Sequence, residues 1–464
     1  MKIKKFSIVS LIFIAIFLMA VTINAQTKGE NKMSVKLPVI TQVKHPEWSY
    51  RANIYEVNIR QYTAAGTFKA FQKHLPRLEK MGVKILWLMP IYPIGKKNRK
   101  GKLGSYYSVQ NYEAVNPNFG TMDDLISLVK DAHKRGMKVI LDWVANHTSW
   151  DNVWVNEHPD WYVHNKKGDF VSPFDWTDVI QLNYKNKNMR KAMTNAMEFW
   201  IKKADIDGYR CDVAGMVPVD FWNHTRKELE KLKPVFMLAE DEDNFALMQR
   251  AFDMNYTWKM LHLMNDIAQG KKPATDIWNY FKWEDATFGP NVFRMYFTSN
   301  HDENSWNGTA FQRLGKAFKA FTIYDYTVPG MPLIYGGEEA GNNKRLRFFD
   351  KDTIIWTKLP YESFYTKLND LKYKNHALWN GLEGGKLMPL SKNQDTPVIA
   401  FYRKKDNNKI VVLINFSNKP QSFKLENVEI QGTFKNYFSG KKINIDPSVT
   451  FNIKPWDYII LEKH

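Results

Sequence analysis

Short apolar runs alternate with amphipathic segments along most of the chain, and this alternation constrains the fold more than any other feature. Segments such as residues 67–82 and 121–136 carry helical spacing, and Thr121 and Gly136 are placed to begin and end the second helix. Eight strands that alternate with helices predict a closed parallel (β/α)8 barrel. The predicted strands are residues 53–57, 83–90, 138–144, 206–212, 235–240, 251–256, 293–300 and 331–337.

Two segments interrupt this alternation. Residues 148–187, between the third and fourth strands, are rich in Trp, Asn, Asp and Pro and predict a short inserted subdomain. After about residue 382 the helical pattern stops, and two alternating runs separated by "KDNN" predict a hairpin. We therefore expect a barrel domain over residues 42–381 and a C-terminal antiparallel β-sandwich over residues 382–464.

The first 25 residues have the pattern of an export signal. Lysines at positions 2, 4 and 5 precede the apolar run "IVSLIFIAIFLMAV", and Ala25 ends a small-residue cleavage point. A membrane anchor is the alternative, but the run is short for a stable span. We expect an exported protein, periplasmic or secreted, with no membrane span after cleavage. Cys211 is the only cysteine, which excludes an internal disulfide and a lipid-modified cysteine at the cleavage point.

The net charge of +18 raises the question of a nucleic-acid partner. The lysines, however, are scattered along the chain, and the longest basic cluster, "GKKNRKGK" at residues 95–102, is bounded by glycines like a solvated loop. The aromatic content of 14% suits stacking on sugars as well as on bases. We therefore expect no nucleic-acid partner.

Polar side chains occur where four of the predicted strands end. An acid at a strand end is, taken singly, most often a cap or a solvated charge. The carboxyl ends of barrel strands share one face, however, so several such residues converge on one opening. These residues are Asp142, Asn146 and His147 on the third strand, Arg210 and Asp212 on the fourth, Glu240 on the fifth, and His301 and Asp302 on the seventh.

Clustered carboxylates without a nucleophilic thiol or a phosphate-binding loop indicate a narrow range of chemistry. Glycoside hydrolysis uses one carboxylate as a nucleophile and one carboxylic acid as a proton donor. Metal-assisted hydrolysis is the other candidate, and it usually shows a His-x-His or His-Glu-x-x-His spacing. Neither spacing occurs in this chain.

Taken together, these motifs resemble the signature regions of the α-amylase superfamily of glycoside hydrolases, including its neopullulanase-like members. "YYSVQNY" (106–112) resembles the segment that carries a substrate-stacking tyrosine, and "IQLN" (180–183) resembles a further signature in the inserted subdomain. The resemblance extends over roughly residues 50–460. The four main regions appear in the family's order: "DWVANH" (142–147), "GYRCDVAGM" (208–216), "LAED" (238–241) and "FTSNHD" (297–302).

The resemblance implies a role for each acid. Asp212 corresponds to the nucleophile, Glu240 to the general acid/base, and Asp302 to the third carboxylate, which holds sugar hydroxyls in the distorted transition state. Arg210 would lie against Asp212 and keep it ionised, while Glu240 would have a raised pKa. Asp142 would support the site from below.

The resemblance also implies substrate-binding residues. His147 and His301 would bind sugar hydroxyls, and Tyr107 would stack on the sugar ring. Asn146 matches a calcium-ligand position of the family, although structural hydrogen bonding explains it equally well. No cofactor is expected to be required.

The implied reaction is retaining cleavage of α-glucosidic, mainly α-1,4, bonds in starch-type glucans, maltodextrins, pullulan or cyclodextrins. A transglycosidase or isomerase with the same catalytic residues is the alternative. A non-catalytic binding protein is disfavoured by the intact trio of acids. The chain departs from the family pattern after Asp212, where Ala214, Gly215 and Met216 replace a common Lys-His pair, and at Ser108, where an aspartate is common.

Overall fold

The computed structural model describes residues 38–390, 395–425, 430–446 and 449–463. The predicted export signal lies outside these ranges. No helix in the described part of the chain is long and apolar enough to cross a membrane.

Each of the eight predicted runs contains one barrel strand. In chain order the strands up to the end of the barrel are β1 (Ile54–Val57), β2 (Ile85–Leu88), β3 (Lys138–Trp143), β4 (His147–Ser149), β5 (Val179–Gln181), β6 (Gly208–Cys211), β7 (Phe236–Ala239), β8 (Met254–Tyr256), β9 (Phe293–Phe297) and β10 (Met331–Tyr335). Eight of them are parallel and close a barrel in the order β1-β10-β9-β8-β7-β6-β3-β2, as the alternation predicts.

Helices surround the barrel, and one short helix lies in the segment between the third and fourth barrel strands. They are α1 (Ile59–Tyr62), α2 (Phe68–Gln72), α3 (Leu75–Met81), α4 (Met122–Lys134), α5 (Val153–Glu157), α6 (Lys187–Ala204), α7 (Val219–Glu230), α8 (Leu247–Arg250), α9 (Trp258–Ala268), α10 (Asp276–Thr287), α11 (Ala310–Leu314), α12 (Phe318–Thr327) and α13 (Glu362–Lys374). One turn of π-helix covers Glu303–Asn307.

The helix predicted over residues 67–82 is in fact two helices, α2 and α3. The chain leaves α2 after Gln72 and begins α3 at Leu75, with Pro76 in its first turn. Proline lacks the amide N–H that a helix interior needs but fits a first turn, so a single helix through this position is disfavoured.

The two faces of the barrel strands bury different clusters. Side chains such as Trp87, Leu238 and Phe297 fill the interior, whereas Tyr209 and Cys211 belong to the layer between the barrel wall and the helices. Arg210, between these two, points inward, where its guanidinium lies 5.1 Å from the Trp87 ring centroid. The strand periodicity therefore places one fully buried cation inside the barrel, below its carboxyl end.

The segment between β3 and β6 contains the antiparallel pair β4 and β5, together with α5.

The last part of the chain contains β11 (Leu387–Pro389), β12 (Val398–Lys405), β13 (Asn408–Asn415), β14 (Gln421–Lys424), β15 (Gly432–Asn436), β16 (Lys442–Ile445), β17 (Thr450–Ile453) and β18 (Tyr458–Lys463). They form a six-stranded sheet in the order β11-β12-β13-β18-β15-β16 and a two-stranded sheet of β14 and β17. Side chains of both sheets, among them Leu413 and Phe423, share one apolar cluster.

The C-terminal antiparallel sheets confirm the predicted fold class. The numerical limits of the inserted segment and of the two domains stay predictions.

Candidate active site

A cleft of about 520 Å³ lies at the carboxyl ends of the barrel strands. The structure brings six of the predicted site residues together in its lining, and the seventh, Arg210, is fully buried next to them. The six lining residues are Tyr107, His147, Asp212, Glu240, His301 and Asp302.

Arg210 is the centre of the buried charge network. Its Nη1 lies 2.9 Å from Asp142 Oδ1 and 3.0 Å from Asp212 Oδ1. Its Nη2 lies 2.6 Å from Glu240 Oε1. This distance is that of an ion pair, but the two groups do not have the geometry of a hydrogen bond. Its Nε donates to the Tyr256 hydroxyl at 3.1 Å. One guanidinium therefore holds three carboxylates, and it fixes the two acids assigned to the reaction relative to each other.

Asp142 lies beneath the site, as the resemblance implies. It is fully buried, and its Oδ2 accepts hydrogen bonds from Trp87 Nε1 at 3.1 Å and from the Tyr107 hydroxyl at 3.0 Å. Burial raises its pKa, and the charge of Arg210 opposes that rise. Its contacts are with protein groups, which makes it a positioning residue for Arg210 and Tyr107.

The electrostatics of Asp212 are not set by Arg210 alone. Burial raises the pKa of Asp212 well above its usual range, and the charge of Glu240 raises it further; Arg210 lowers it but does not dominate. One guanidinium shared among three carboxylates cannot fully compensate each of them. Arg210 therefore opposes the rise, as expected, but the pKa of Asp212 is on balance raised and not lowered.

Glu240 is also held by a backbone amide from the turn after β6. The Val213 amide donates to Glu240 Oε2 at 2.8 Å. Val213 has φ 37° and ψ 48°, a left-handed conformation that is rare for a β-branched residue. Val213 directly follows Asp212 in the turn after β6, and its conformation points the Val213 N–H at Glu240, which follows β7.

His301 joins Asp302 to a chain of buried groups. Its Nδ1 lies 2.6 Å from Glu56 Oε1, and its Nε2 lies 2.7 Å from the Tyr107 hydroxyl and 3.3 Å from Asp302 Oδ2. Burial lowers the pKa of His301, but the charges of Asp302 and Glu56 outweigh it and raise the pKa to about 9. The imidazolium therefore donates at both nitrogens, and the Tyr107 hydroxyl in turn donates to Asp142 Oδ2.

His147 has the opposite charge state. Burial lowers its pKa to about 3, so it is neutral in the working range of most enzymes. Its Nδ1 is 3.3 Å from the Asn146 amide nitrogen, which makes it an acceptor and leaves the proton on Nε2. Its ring meets the Trp176 ring edge to face at 5.4 Å, on the inserted segment. A neutral imidazole with one free N–H suits binding of a sugar hydroxyl.

The surroundings of Asn146 do not assemble a recognisable cation site. The Asn146 side chain is turned to His147, and its backbone oxygen accepts from Leu182 N at 3.1 Å. Over the described ranges, no group of three or more His, Cys, Asp or Glu side chains is placed to hold a metal ion. The contacts of Asn146 are those of a structural residue, and calcium binding stays an untested prediction.

One position of the departure after Asp212 lies against a neighbouring acid. A Cβ on Gly215 would lie 2.0 Å from Asp241 Oδ2, so the carboxylate that follows Glu240 occupies the space where a side chain would begin. A residue other than glycine at position 215 would therefore require the Asp241 side chain to move.

Several residues of the site were not predicted. The sequence pattern places Glu56 only within strand β1, although an acid inside an otherwise apolar run is a usable signal. Trp176 and the Lys100–Asp178 ion pair, at 3.1 Å, line the cleft from loops whose positions no local pattern determines. The same holds for the cleft-lining aromatics Trp306, Phe348 and Phe349.

Known proteins share both the sequence pattern and this fold. Residues 48–179 and 157–358 match the model of the α-amylase catalytic domain, and residues 390–460 match that of the α-amylase C-terminal all-beta domain. Alpha-amylase 2 of Dictyoglomus thermophilum is 25% identical over 444 residues, which cover 86% of this chain and 75% of that protein.

Two solved structures are also similar. A noncanonic maltogenic alpha-amylase, AmyB, from Thermotoga neapolitana has a TM-score of 0.82 at 28% identity, covering 90% of this chain and 99% of that chain. An alpha-amylase from Lactobacillus plantarum has a TM-score of 0.80 at 27% identity, covering 90% and 100%. The chain therefore belongs to the α-amylase family of glycoside-bond-processing enzymes.

Proposed function

We propose that this enzyme is a retaining glycoside hydrolase that cleaves α-glucosidic, mainly α-1,4, bonds in starch-type glucans, maltodextrins, pullulan or cyclodextrins. The observation that carries the proposal is the placement of Asp212 and Glu240 on the two terminal nitrogens of Arg210. Two carboxyls held by one guanidinium are close together, and retaining enzymes need a separation of about 5 to 5.5 Å.

In the first step the Asp212 carboxylate attacks the anomeric carbon, and Glu240 gives its proton to the departing glycosidic oxygen. In the second step Glu240, now ionised, takes a proton from water, and that water releases the sugar from Asp212. Glu240 acts as the proton donor in the first step and as the proton acceptor in the second. Arg210 contacts both acids, so it stabilises the pair whichever of them carries the charge.

The other side chains hold the sugar. Tyr107 is fixed by Asp142 and His301, which keeps its ring in place for stacking. His147 offers an N–H, and Asp302, whose side chain is 36% exposed, accepts from hydroxyls. Both nitrogens of His301 already have protein partners, so any contact of His301 with a sugar shares the Nε2 proton with Tyr107.

The test is the product profile of the purified enzyme and of Asp212→Asn on starch, pullulan, cyclodextrin and maltoheptaose. We expect turnover by the enzyme, and no turnover by a folded Asp212→Asn variant. Undiminished cleavage by that variant would overturn the assignment of the nucleophile. Products longer than maltoheptaose would indicate a transglycosidase, because a sugar then intercepts the intermediate in place of water.

Export is a separate part of the proposal. It is supported by the lysines, the apolar run and the small residues of the first 25 positions. An exported enzyme would meet glucans outside the cytoplasm. Mass spectrometry of the native protein should find an N-terminus at Gln26, and detection of the intact first 25 residues in the mature protein would contradict it.

A further inference from the structure

Trp306 is a large aromatic side chain that remains 51% exposed at the rim of the cleft. It lies in the turn of π-helix that begins directly after Asp302. Such turns are rare and are frequently found at functional sites. An exposed tryptophan four positions from one of the three acids is therefore placed to meet the same substrate as that acid.

Trp306 is one end of a continuous series of rings. The Trp306 ring is 5.3 Å from Phe348 and 6.0 Å from Phe349. The Phe348 ring is nearly parallel to Tyr107, at 6.2 Å and 9°. Tyr107 in turn bonds Asp142 and His301 in the floor of the cleft. We call Trp306, Phe348 and Phe349 the aromatic wall; it extends the stacking surface of Tyr107 outward to the rim.

Hydrogen bonds between side chains and the backbone join the two segments that carry the wall. Arg345 Nη2 donates to Ser305 O at 2.6 Å and to Trp306 O at 3.1 Å. The Leu346 amide donates to Asn304 Oδ1 at 2.8 Å.

Phe348 and Phe349 are anchored from the opposite side. Arg60 Nη1 donates to Phe348 O at 3.2 Å, and the Leu103 amide donates to Phe349 O at 3.0 Å. The backbone of the wall is therefore fixed before any ligand arrives, which reduces the entropy lost on binding.

A pre-ordered, exposed aromatic surface beside an array of polar groups matches the two-sided chemistry of a glucosyl ring. The C–H faces of the ring pack on aromatic faces, and its hydroxyls bond to the polar groups. We propose that the aromatic wall binds the glucosyl unit next to the one held over Tyr107, with Trp306 as its main contact. This inference rests on the proposed function and deepens it: the enzyme would prefer α-glucan chains over substrates with a single glucosyl unit.

The test is calorimetric titration of maltoheptaose into the full-length Asp212→Asn variant, with and without a second substitution. We expect Trp306→Ala to weaken binding about tenfold or more, since tryptophan anchors dominate binding surfaces of this kind. Trp306→Phe keeps a ring and should bind within about threefold of the parent. Melting curves of each variant verify that it is folded.

The matched control is Ile355→Ala, which removes an apolar side chain that is 56% exposed. Ile355 follows β10 in the chain, as Phe348 and Phe349 do, but it does not line the cleft. Its affinity should equal that of the parent. Equal affinities of the parent and the Trp306→Ala variant would overturn the role of the wall while leaving the proposed function standing. A parent that binds no maltoheptaose would overturn the proposed function itself, and the inference with it.

Discussion

The Val213 amide donates to Glu240 Oε2 at 2.8 Å from a left-handed backbone conformation with φ 37°. Val213, the residue after Asp212, thus positions the side chain of Glu240. Left-handed backbone is unfavourable for a β-branched side chain and persists where surrounding structure enforces it, often at active sites. In the proposed mechanism the benefit is a fixed donor for a carboxylate that alternates between its protonated and ionised forms.

Replacement of Val213 by glycine separates the strain from the hydrogen bond. Val213→Gly keeps the N–H and removes strain of about 1–3 kcal/mol. Glycine is more flexible in the unfolded chain, and this flexibility lowers the free energy of unfolding by about 0.5–1 kcal/mol. We expect the free energy of unfolding to be equal to or higher than that of the parent in a urea titration. Val213→Pro removes the donor and should lower both stability and kcat. A large loss of stability in the glycine variant would show that the conformation at Val213 is not strained.

Replacement of Glu240 by glutamine should remove the proton donor while keeping the shape of the side chain. We expect kcat on starch to fall by about 10²- to 10⁴-fold, the usual contribution of general acid–base catalysis. An α-glucosyl fluoride, whose leaving group needs no proton, should lose much less in the step that releases fluoride. Equal losses on both substrates would argue against Glu240 as the acid.

The buried His301–Glu56 pair predicts a dependence of stability on pH. The pKa of His301 is raised from 6.5 to about 9, so its stabilising contribution is fully present below pH 6.5 and is lost as the pH rises through about 9. Glu56→Gln removes the carboxylate that Nδ1 contacts, so the contribution should diminish and the alkaline limit of activity should move to lower pH.

The measurement is urea unfolding of both proteins at pH 6 and pH 9.5. The stability gap between wild type and Glu56→Gln should be larger at pH 6. The matched control is Asp406→Asn, which breaks an exposed pair in which Asp406 lies 3.1 Å from His376. Because that pair is solvated, its loss should leave the pH profile unchanged. A constant gap across this pH range in Glu56→Gln would contradict a charged His301.

Removal of divalent cations should have little effect on stability, because Asn146 is engaged by protein partners and the described residues offer no cluster of charged ligands around it. We expect the Tm after dialysis against a chelator to match that of the untreated protein. A fall of about 5 °C or more that added calcium reverses would show a bound ion that stabilises the native state.

Local sequence patterns were sufficient for the main architecture. Each barrel strand is a short apolar run, and a period of two along β6 places Arg210 inside while Tyr209 and Cys211 pack against helices. Because parallel barrel strands end on one face, the positions of the acids in the sequence also predicted that they would meet. The split of residues 67–82 does not follow from the apolar pattern, because helical spacing of apolar residues continues across a break in the backbone.

The sequence by itself thus determined the barrel, the convergence of Asp212, Glu240 and Asp302, and the family to which the chain belongs. Tertiary structure alone decided that Glu56 meets His301, 245 positions away, and that Phe348 lies against Tyr107 and Trp306. It also decided the charge states, because a pKa depends on burial and on every charge nearby. The physical reason is range: strand and helix patterns arise from neighbours in the chain, whereas desolvation, ion pairing and ring stacking arise from neighbours in space.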